Sequence, residues 1–168
     1  MKDLLIEVDA GNPVLVLQNL AFDSYPQWHF AVVVGYDLEK SEVVLRSGTT
    51  KRWVTSLRNF EQTWRKSTYW GIVIVSPDQL PATATMEKWL SSAHDLEKLQ
   101  YYKSAEKAYQ EAIKQWPLRE EVWLALTNFE YEQKQYAKAL NTFHRGLTKF
   151  MGSSRMSVSY THLTLPTS

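Results

Sequence analysis

The chain contains no cysteine, and this absence excludes several classes of chemistry. With no thiol among its 168 residues, the chain cannot form a disulfide, bind zinc through thiolates or use a cysteine nucleophile of its own. An excess of one charge is also absent, because 19 Lys and Arg residues face 18 Asp and Glu residues. This balance provides no electrostatic reason to expect nucleic acid or an anionic membrane as a partner.

Long apolar runs and glycine clusters are missing as well. No run approaches the roughly 20 residues that span a bilayer, and Met1–Leu4 lacks the apolar centre of a signal peptide. Placement in a bacterial envelope or periplasm would therefore require an upstream export signal, and the compartment stays open. The six glycines form no phosphate loop or serine elbow. The histidines His29, His94, His144 and His162 lack metal-ligand spacing, so we expect no metal and no cofactor.

Residues 1–76 have the short alternating patterns of an α+β domain, with a small antiparallel sheet and short helices. Runs of β-branched residues are separated by turn-forming residues, and two stretches have helical spacing. The predicted helices are Asp3–Ala10, ended by Gly11 in a left-handed conformation, and a helix carrying Leu57, Phe60 and Trp64 behind a Thr55 or Ser56 cap. The predicted strands are Val14–Leu17, Phe30–Tyr36, Val43–Leu45, Arg52–Val54 and Trp70–Val75.

The stretch Trp28–Asp37 combines a titratable side chain with a buried strand pattern. Val32–Val34 are consecutive and β-branched, which predicts a strand buried on both faces. His29 stands at the start of this apolar run, where the strand leaves the core. It is either a structural histidine at a strand end or a catalytic base, since imidazole exchanges protons near neutral pH. The residues of this stretch alone leave both interpretations open.

The second half of the chain carries an internal repeat. Residues 77–85 are rich in Pro and small residues and are interpreted as a linker that ends in a helix cap at Thr85. After this linker the pattern is helical and contains pairs of similar residues 34 positions apart, a period typical of tetratricopeptide repeats. These pairs are Trp89 and Trp123, Ala105 and Ala139, Tyr109 and Phe143, and Ala112 and Gly146.

Residues 86–119 and 120–150 are therefore predicted to be two tetratricopeptide-like helical hairpins that bind a protein partner. Ala105 and Ala139 would let paired helices approach closely, while Tyr109 and Phe143 would fill the space to the next hairpin. The simpler alternative is a pair of ordinary amphipathic hairpins. Because about three repeats are usually needed for a stable stack, we expect the second hairpin to expose an apolar face. Either the array continues in the natural protein or the first domain braces it.

The last segment, residues 151–168, has a different composition. Ser and Thr are frequent and neither helical nor strand periodicity is present, so we expect a disordered tail. The run Val158–Thr167 resembles translated sequencing-adapter sequence, which would make this tail an artefact.

The segment from Leu4 to Pro81 resembles the second half of a papain-like cysteine peptidase domain, in the family related to peptidases that process double-glycine leaders of bacteriocins. The resemblance covers a little less than half of the chain. The arrangement of such a domain followed by a tetratricopeptide segment resembles that of a bacterial branch of the family. The resemblance to the peptidase domain rests on the order and spacing of five segments, which are Ala10–Val16, Trp28–Asp37, Val43–Gly48, Phe60 with Trp64, and Trp70–Pro77.

The resemblance implies a Cys–His mechanism acting on a peptide or protein substrate. In such enzymes imidazole takes the proton of a thiol, and the thiolate attacks a peptide carbonyl. His29 carries over as the general base. The family's cysteine and the Gln before it would precede Met1, so these 168 residues cannot perform the reaction alone.

Two further positions carry over less completely. Ser47 stands near the place of the Asp or Asn that orients the imidazole, and its hydroxyl would stabilise imidazolium less than a carboxylate would. The alternative for Ser47 and Gly48 is an ordinary turn. Trp28 is expected either to line the substrate cleft or simply to pack.

The leading hypothesis is a fragment of a bacterial cysteine peptidase that carries the histidine half of the site and is fused to protein-binding repeats. It predicts apolar surface where the missing helix would pack. The alternative is a non-catalytic scaffold, in which a degenerate peptidase-like domain and the repeats both bind peptides. A third reading is a small α+β domain of unrelated function. None of these readings includes a membrane span or nucleic-acid binding.

Overall fold

A computed structural model describes residues 1–150, which form two compact units. The first unit contains Met1–Ser76 together with Pro81–Thr83, and the second contains Pro77–Leu80 together with the described residues from Ala84 onward. The predicted linker 77–85 is thus divided between the two units. The predicted disordered tail, residues 151–168, lies outside the described part of the chain.

The first unit is an antiparallel five-stranded sheet with two short helices, as predicted. The strands lie in the order β4-β3-β2-β1-β5, so the long strand β2 is central. The elements are α1 (Lys2–Asp9), β1 (Val14–Asn19), β2 (Trp28–Asp37), β3 (Glu42–Ser47), β4 (Thr50–Ser56), α2 (Leu57–Arg65) and β5 (Gly71–Val73).

Local sequence signals set the ends of both helices in this unit. Gly11 follows α1 with a φ of +83°, a left-handed conformation that glycine adopts without a Cβ penalty. Ser56 caps α2, because its hydroxyl accepts a hydrogen bond of 3.2 Å from the backbone N–H of Asn59. Both features agree with the sequence predictions.

The core lies on one face of the sheet only. Alternate residues of the three central strands are buried there, and Leu4, Phe60 and Trp64 of the helices complete the cluster. The prediction that the central strand is buried on both faces was wrong, since Phe30 of β2 is 56% exposed. A run of apolar residues indicates a strand, but it does not show whether a second layer covers the other face.

The second unit is all α-helical within the described residues and repeats with a period of 34. Thr85 caps its first helix by accepting a hydrogen bond from Lys88 N. Shifting the first two helices by 34 residues reproduces the bounds of the last two. The helices are α3 (Met86–Lys98), α4 (Tyr102–Gln115), α5 (Glu120–Glu132) and α6 (Tyr136–Lys149).

The repeated residues lie inside the helical unit. Small residues are buried in both hairpins, and Ala105 and Ala139 are fully buried. The larger repeated side chains Trp89, Tyr109, Trp123 and Phe143 are buried as well. The backbone repeats too, because Gln100 and Lys134, 34 residues apart, both have φ near +60° after their helices.

Candidate functional site

His29 stands in a row of three polar side chains at one end of the sheet. Its Cα partner on β1 is Gln18, so both side chains lie on the same face as the buried residues Ala31 and Val33. Ser47 ends β3, which lies on the other side of β2. Its side chain is on the same face of that strand as the buried Val43 and Leu45. Three adjacent strands therefore bring an amide, an imidazole and a hydroxyl together.

Ser47 contacts His29 directly. The distance between His29 Nε2 and Ser47 Oγ is 2.5 Å, which is a hydrogen bond between partly buried side chains. Among the described residues, the other ring nitrogen, Nδ1, has no hydrogen-bond partner. If Nε2 carries the proton and donates it to Ser47, Nδ1 is left as the basic nitrogen.

Gln18 was missing from the sequence prediction, which ended its strand at Leu17. In the structure β1 continues through Gln18 to Asn19. The Gln18 side chain is only 1% exposed, and its Nε2 donates a hydrogen bond of 2.6 Å to Thr63 Oγ1 on α2. A polar residue at the end of an apolar run is typical of a strand boundary, so the sequence carried no signal for its burial.

The loop before His29 is held by a second buried polar side chain. Asn19 Oδ1 accepts hydrogen bonds from the backbone N–H groups of Ala21 and Gln27 at 3.0 and 2.9 Å. Lys66 Nζ also donates to the carbonyl of Ala21. These bonds connect the end of β1 to the start of β2 and thereby fix the backbone on which His29 sits.

Trp28 lies on the opposite face of β2 from His29. Its side chain is more than half exposed, as is that of Phe30 on the same face. Phe30 packs edge to face against Trp70, with ring centroids 5.8 Å apart, and Ile72 of β5 is also exposed. The sheet thus has an apolar outer face, but the structure does not bring Trp28 to the same side as the imidazole.

The described residues were also compared with the requirements of a metal site and of a membrane span. Within residues 1–150 no three acidic or histidine side chains are grouped as metal ligands would be. His94 is exposed and lies 3.4 Å from the Glu97 carboxylate. No helix in the described part of the chain is long and apolar enough to cross a membrane.

Residues 1–72 match the model of the Peptidase_C39 like family. The match supports a C39-like peptidase domain in this part of the chain. The matched region contains the whole row of Gln18, His29 and Ser47, and it ends before the helical unit begins. No curated protein matches the chain.

This geometry allows proton exchange at one defined atom. Ser47 and the strand register hold the imidazole, while Nδ1 is available to accept a proton from an acid brought within reach. A hydroxyl is a weaker partner for imidazolium than a carboxylate, because it carries no full charge. When Nε2 carries the proton, Nδ1 has the free lone pair that a general base requires, and the chain itself contains no thiol that could be the proton donor.

Proposed function

We propose that residues 1–76 carry the histidine half of a cysteine peptidase site, with His29 as the general base. The observation that carries this proposal is the His29–Ser47 hydrogen bond inside a C39-like domain. That bond occupies Nε2 and leaves Nδ1 for the nucleophile.

In the working enzyme, a cysteine from outside these 168 residues would give its proton to His29 Nδ1. The resulting thiolate attacks the peptide carbonyl, and the imidazolium later protonates the leaving amine. Ser47 keeps the ring in one orientation during both transfers. The chain as printed is then an inactive fragment, because it contains no cysteine.

The helical unit is proposed to be a pair of tetratricopeptide-like repeats that bind a peptide or protein partner. Support comes from the 34-residue period in both sequence and helix bounds, and from the buried small residues Ala105 and Ala139. Fused to a peptidase domain, such a unit would deliver or retain a substrate.

Reading the coding sequence upstream of Met1 tests the catalytic proposal first. We expect a helix that begins with Cys and has Gln shortly before it, as the family resemblance implies. An upstream frame without any cysteine would contradict the proposal.

A non-catalytic peptide-binding scaffold is the second candidate, and two observations favour it. The chain lacks the nucleophile, and the position expected to orient the imidazole holds a hydroxyl, Ser47. A pull-down with residues 86–150 separates the candidates when it is combined with the upstream sequence. Specific partners on the repeats together with an upstream frame lacking cysteine would support the scaffold.

A further inference from the structure

The hydrogen bond between Ser47 and His29 joins a hydroxyl to an imidazole, and either group can be the donor. Ser47 Oγ is 2.5 Å from His29 Nε2, and among the described residues no other side chain bonds to this ring. A hydroxyl both donates and accepts, while a neutral imidazole carries one proton on either nitrogen. When that proton is on Nε2, Ser47 accepts the hydrogen bond; when it is on Nδ1, Ser47 donates to Nε2. The second form is the contact in which a base activates a serine nucleophile.

The two forms serve different nucleophiles and do not exclude each other. With the ring proton on Nε2, Nδ1 is open to a thiol, as the peptidase proposal requires. With the ring proton on Nδ1, Nε2 is open to the proton of Ser47. The ring exchanges protons with solvent near neutral pH, so one imidazole can populate both forms. The 168 residues contain no cysteine, which leaves Ser47 as the nucleophile already in place beside His29.

Ser47 stands where a small substrate can approach it. It ends β3 and pairs with Thr50 across a two-residue turn, whose first residue, Gly48, has a φ of +53°. A Cβ added at Gly48 would meet no atom within 4 Å, so the space around this turn is open. Ser47 and His29 are themselves only partly buried. An acyl group can therefore reach Ser47 Oγ from the side of the turn.

The same turn supplies hydrogen-bond donors next to the hydroxyl. The backbone N–H groups of Gly48 and Thr49 make no hydrogen bond to another backbone group in the part of the chain that the structure describes. In serine hydrolases, the N–H of the residue after the nucleophile helps to bind the oxyanion of the tetrahedral intermediate. Gly48 directly follows Ser47, so its N–H holds the sequence position of such a donor.

We propose that the chain has an acyl-transfer activity of its own, in which Ser47 is the nucleophile and His29 Nε2 is the base. Its substrates are carboxylic esters with a good leaving group, because Nδ1 has no partner among the described residues that would strengthen the base. The cysteine-free chain is inactive as a peptidase in the account above, but this reaction uses no thiol. The assignment therefore does not rest on the peptidase proposal.

Two displacements complete the reaction. In the first, Ser47 Oγ bonds to the ester carbonyl carbon and passes its proton to Nε2. The bond from this carbon to the leaving oxygen then breaks, and the leaving alcohol takes the proton from Nε2. In the second, a water molecule gives a proton to Nε2 and attacks the acyl serine, and the proton passes to Ser47 Oγ as the carboxylic acid leaves. The sum is ester and water giving acid and alcohol.

The test is p-nitrophenyl acetate turnover by the chain as it exists, compared with the Ser47→Ala variant. We expect loss of the hydroxyl to slow p-nitrophenol release at least about tenfold, and His29→Ala to do the same. Mass spectrometry of the wild-type chain should find the acetyl group on Ser47. His94→Ala is the matched control, because this exposed imidazole has no serine partner, and most of the rate should remain. Equal rates in the wild type and Ser47→Ala would overturn the proposal, as would an acetyl group on His29 in place of Ser47.

A Ser47→Asp variant separates a nucleophile from a positioning residue. A carboxylate still accepts a hydrogen bond from Nε2–H but has no hydroxyl proton to give, so ester turnover should fall to the level of Ser47→Ala. Turnover retained in Ser47→Asp would show that Ser47 only orients the ring. If neither variant folds, the site of acetylation in the wild type decides, and absence of the acetyl group from Ser47 overturns the proposal.

The ester and thiol roles of His29 can fail separately. In a protein extended upstream to its cysteine, Ser47→Asp should keep or raise the rate of thiol alkylation, because a carboxylate stabilises imidazolium more than a hydroxyl does. Alkylation that depends on His29, without acetylation of Ser47, would overturn only the activity proposed here. Acetylation of Ser47 with no cysteine in the upstream frame would remove only the peptidase proposal.

Discussion

Each of the two units buries one glutamate, and the two environments are opposites. Glu7 of α1 and Glu130 of α5 are each 1% exposed. Glu7 accepts four hydrogen bonds, from Asn12 Nδ2, Ala82 N, Thr83 N and Thr83 Oγ1. In contrast, one oxygen of Glu130 has no partner among the described residues, and the other lies 3.9 Å from Lys138 Nζ.

The pKa values of the two carboxyls are shifted in opposite directions. Burial alone raises the pKa of Glu7, but hydrogen bonds from Thr83, Asn12 and Ala82 outweigh it and hold that pKa below its ordinary value. Burial also raises the pKa of Glu130, and there the hydrogen bond from Thr142 and the charge of Lys138 offset it only in part. Equal burial thus gives opposite shifts, because donors rather than depth decide the sign.

The repeat provides a reference for Glu130. The position 34 residues earlier is Leu96, so the first hairpin places an apolar side chain where the second buries a carboxylate. No such reference exists for Glu7, whose bonds hold residues 82 and 83 on the sheet unit. The same substitution at both sites should therefore have very different consequences.

The largest effect is expected from Glu7→Leu. Removing the carboxylate leaves four donors without their acceptor, and we expect the sheet unit to lose about 3 kcal/mol of unfolding free energy. Amide hydrogen exchange of α1 and β2 measures this loss. Glu7→Gln is the matched control and should cost less, since its amide oxygen can still accept. Equal exchange in Glu7→Leu and the wild type would contradict this account.

Acidification should destabilise the sheet unit and favour the helical one. For Glu7, whose pKa is lowered in the fold, the stabilisation is present above its ordinary pKa and lost as pH falls through the lowered value. For Glu130, whose pKa is raised, stability is fullest below its ordinary pKa and declines as pH rises through the raised value. Hydrogen exchange followed between pH 7 and pH 3 should show opposite trends in α1 and α5. Parallel trends would show that the donors around Glu7 do not set its protonation.

The smallest effect is expected from Glu130→Leu. This change copies Leu96 of the first hairpin and removes a poorly satisfied buried charge, so the helical unit should be unchanged or gain up to about 1 kcal/mol. Lys138 keeps Glu106 as an ion-pair partner. Hydrogen exchange in α5 and α6, measured at increasing urea concentration, compares the unfolding free energy of this variant with that of the wild type. A loss comparable to that of Glu7→Leu would mean that Thr142 and Lys138 stabilise Glu130 as strongly as the four donors stabilise Glu7.

The two glutamates also illustrate which features of the fold could be predicted from the sequence and which could not. The strand with His29, the helix cap at Ser56 and the 34-residue repeat follow from local patterns, and the structure has all three. The burial of Glu7 depends on donors 75 and 76 residues away, which no local pattern contains. β4 extends beyond its predicted core because its exposed edge is made of polar residues that carry no apolar signal.

The site was predictable to the same extent. The family resemblance singles out His29 and Ser47, which lie just beyond the predicted strands Phe30–Tyr36 and Val43–Leu45. In the structure both residues lie within β2 and β3, and the pairing of these strands brings them together. Gln18 could not be found, because a polar residue in a buried position is recognised only through its register with His29. Trp28 is next to His29 in the sequence, but neighbouring residues of a strand point to opposite faces of the sheet. Its position beside the histidine therefore does not bring it to the same side as the imidazole.

Alkylation of the nucleophile is the most direct measurement of the central claim. In a gene product extended upstream to include its cysteine, iodoacetamide labelling near pH 6 should be slowed at least about tenfold by His29→Ala, because the thiol loses its base. Replacing the exposed His94 by Ala serves as the matched control and should leave the rate unchanged. An unchanged labelling rate in the His29→Ala variant would contradict the assignment of His29 as the base.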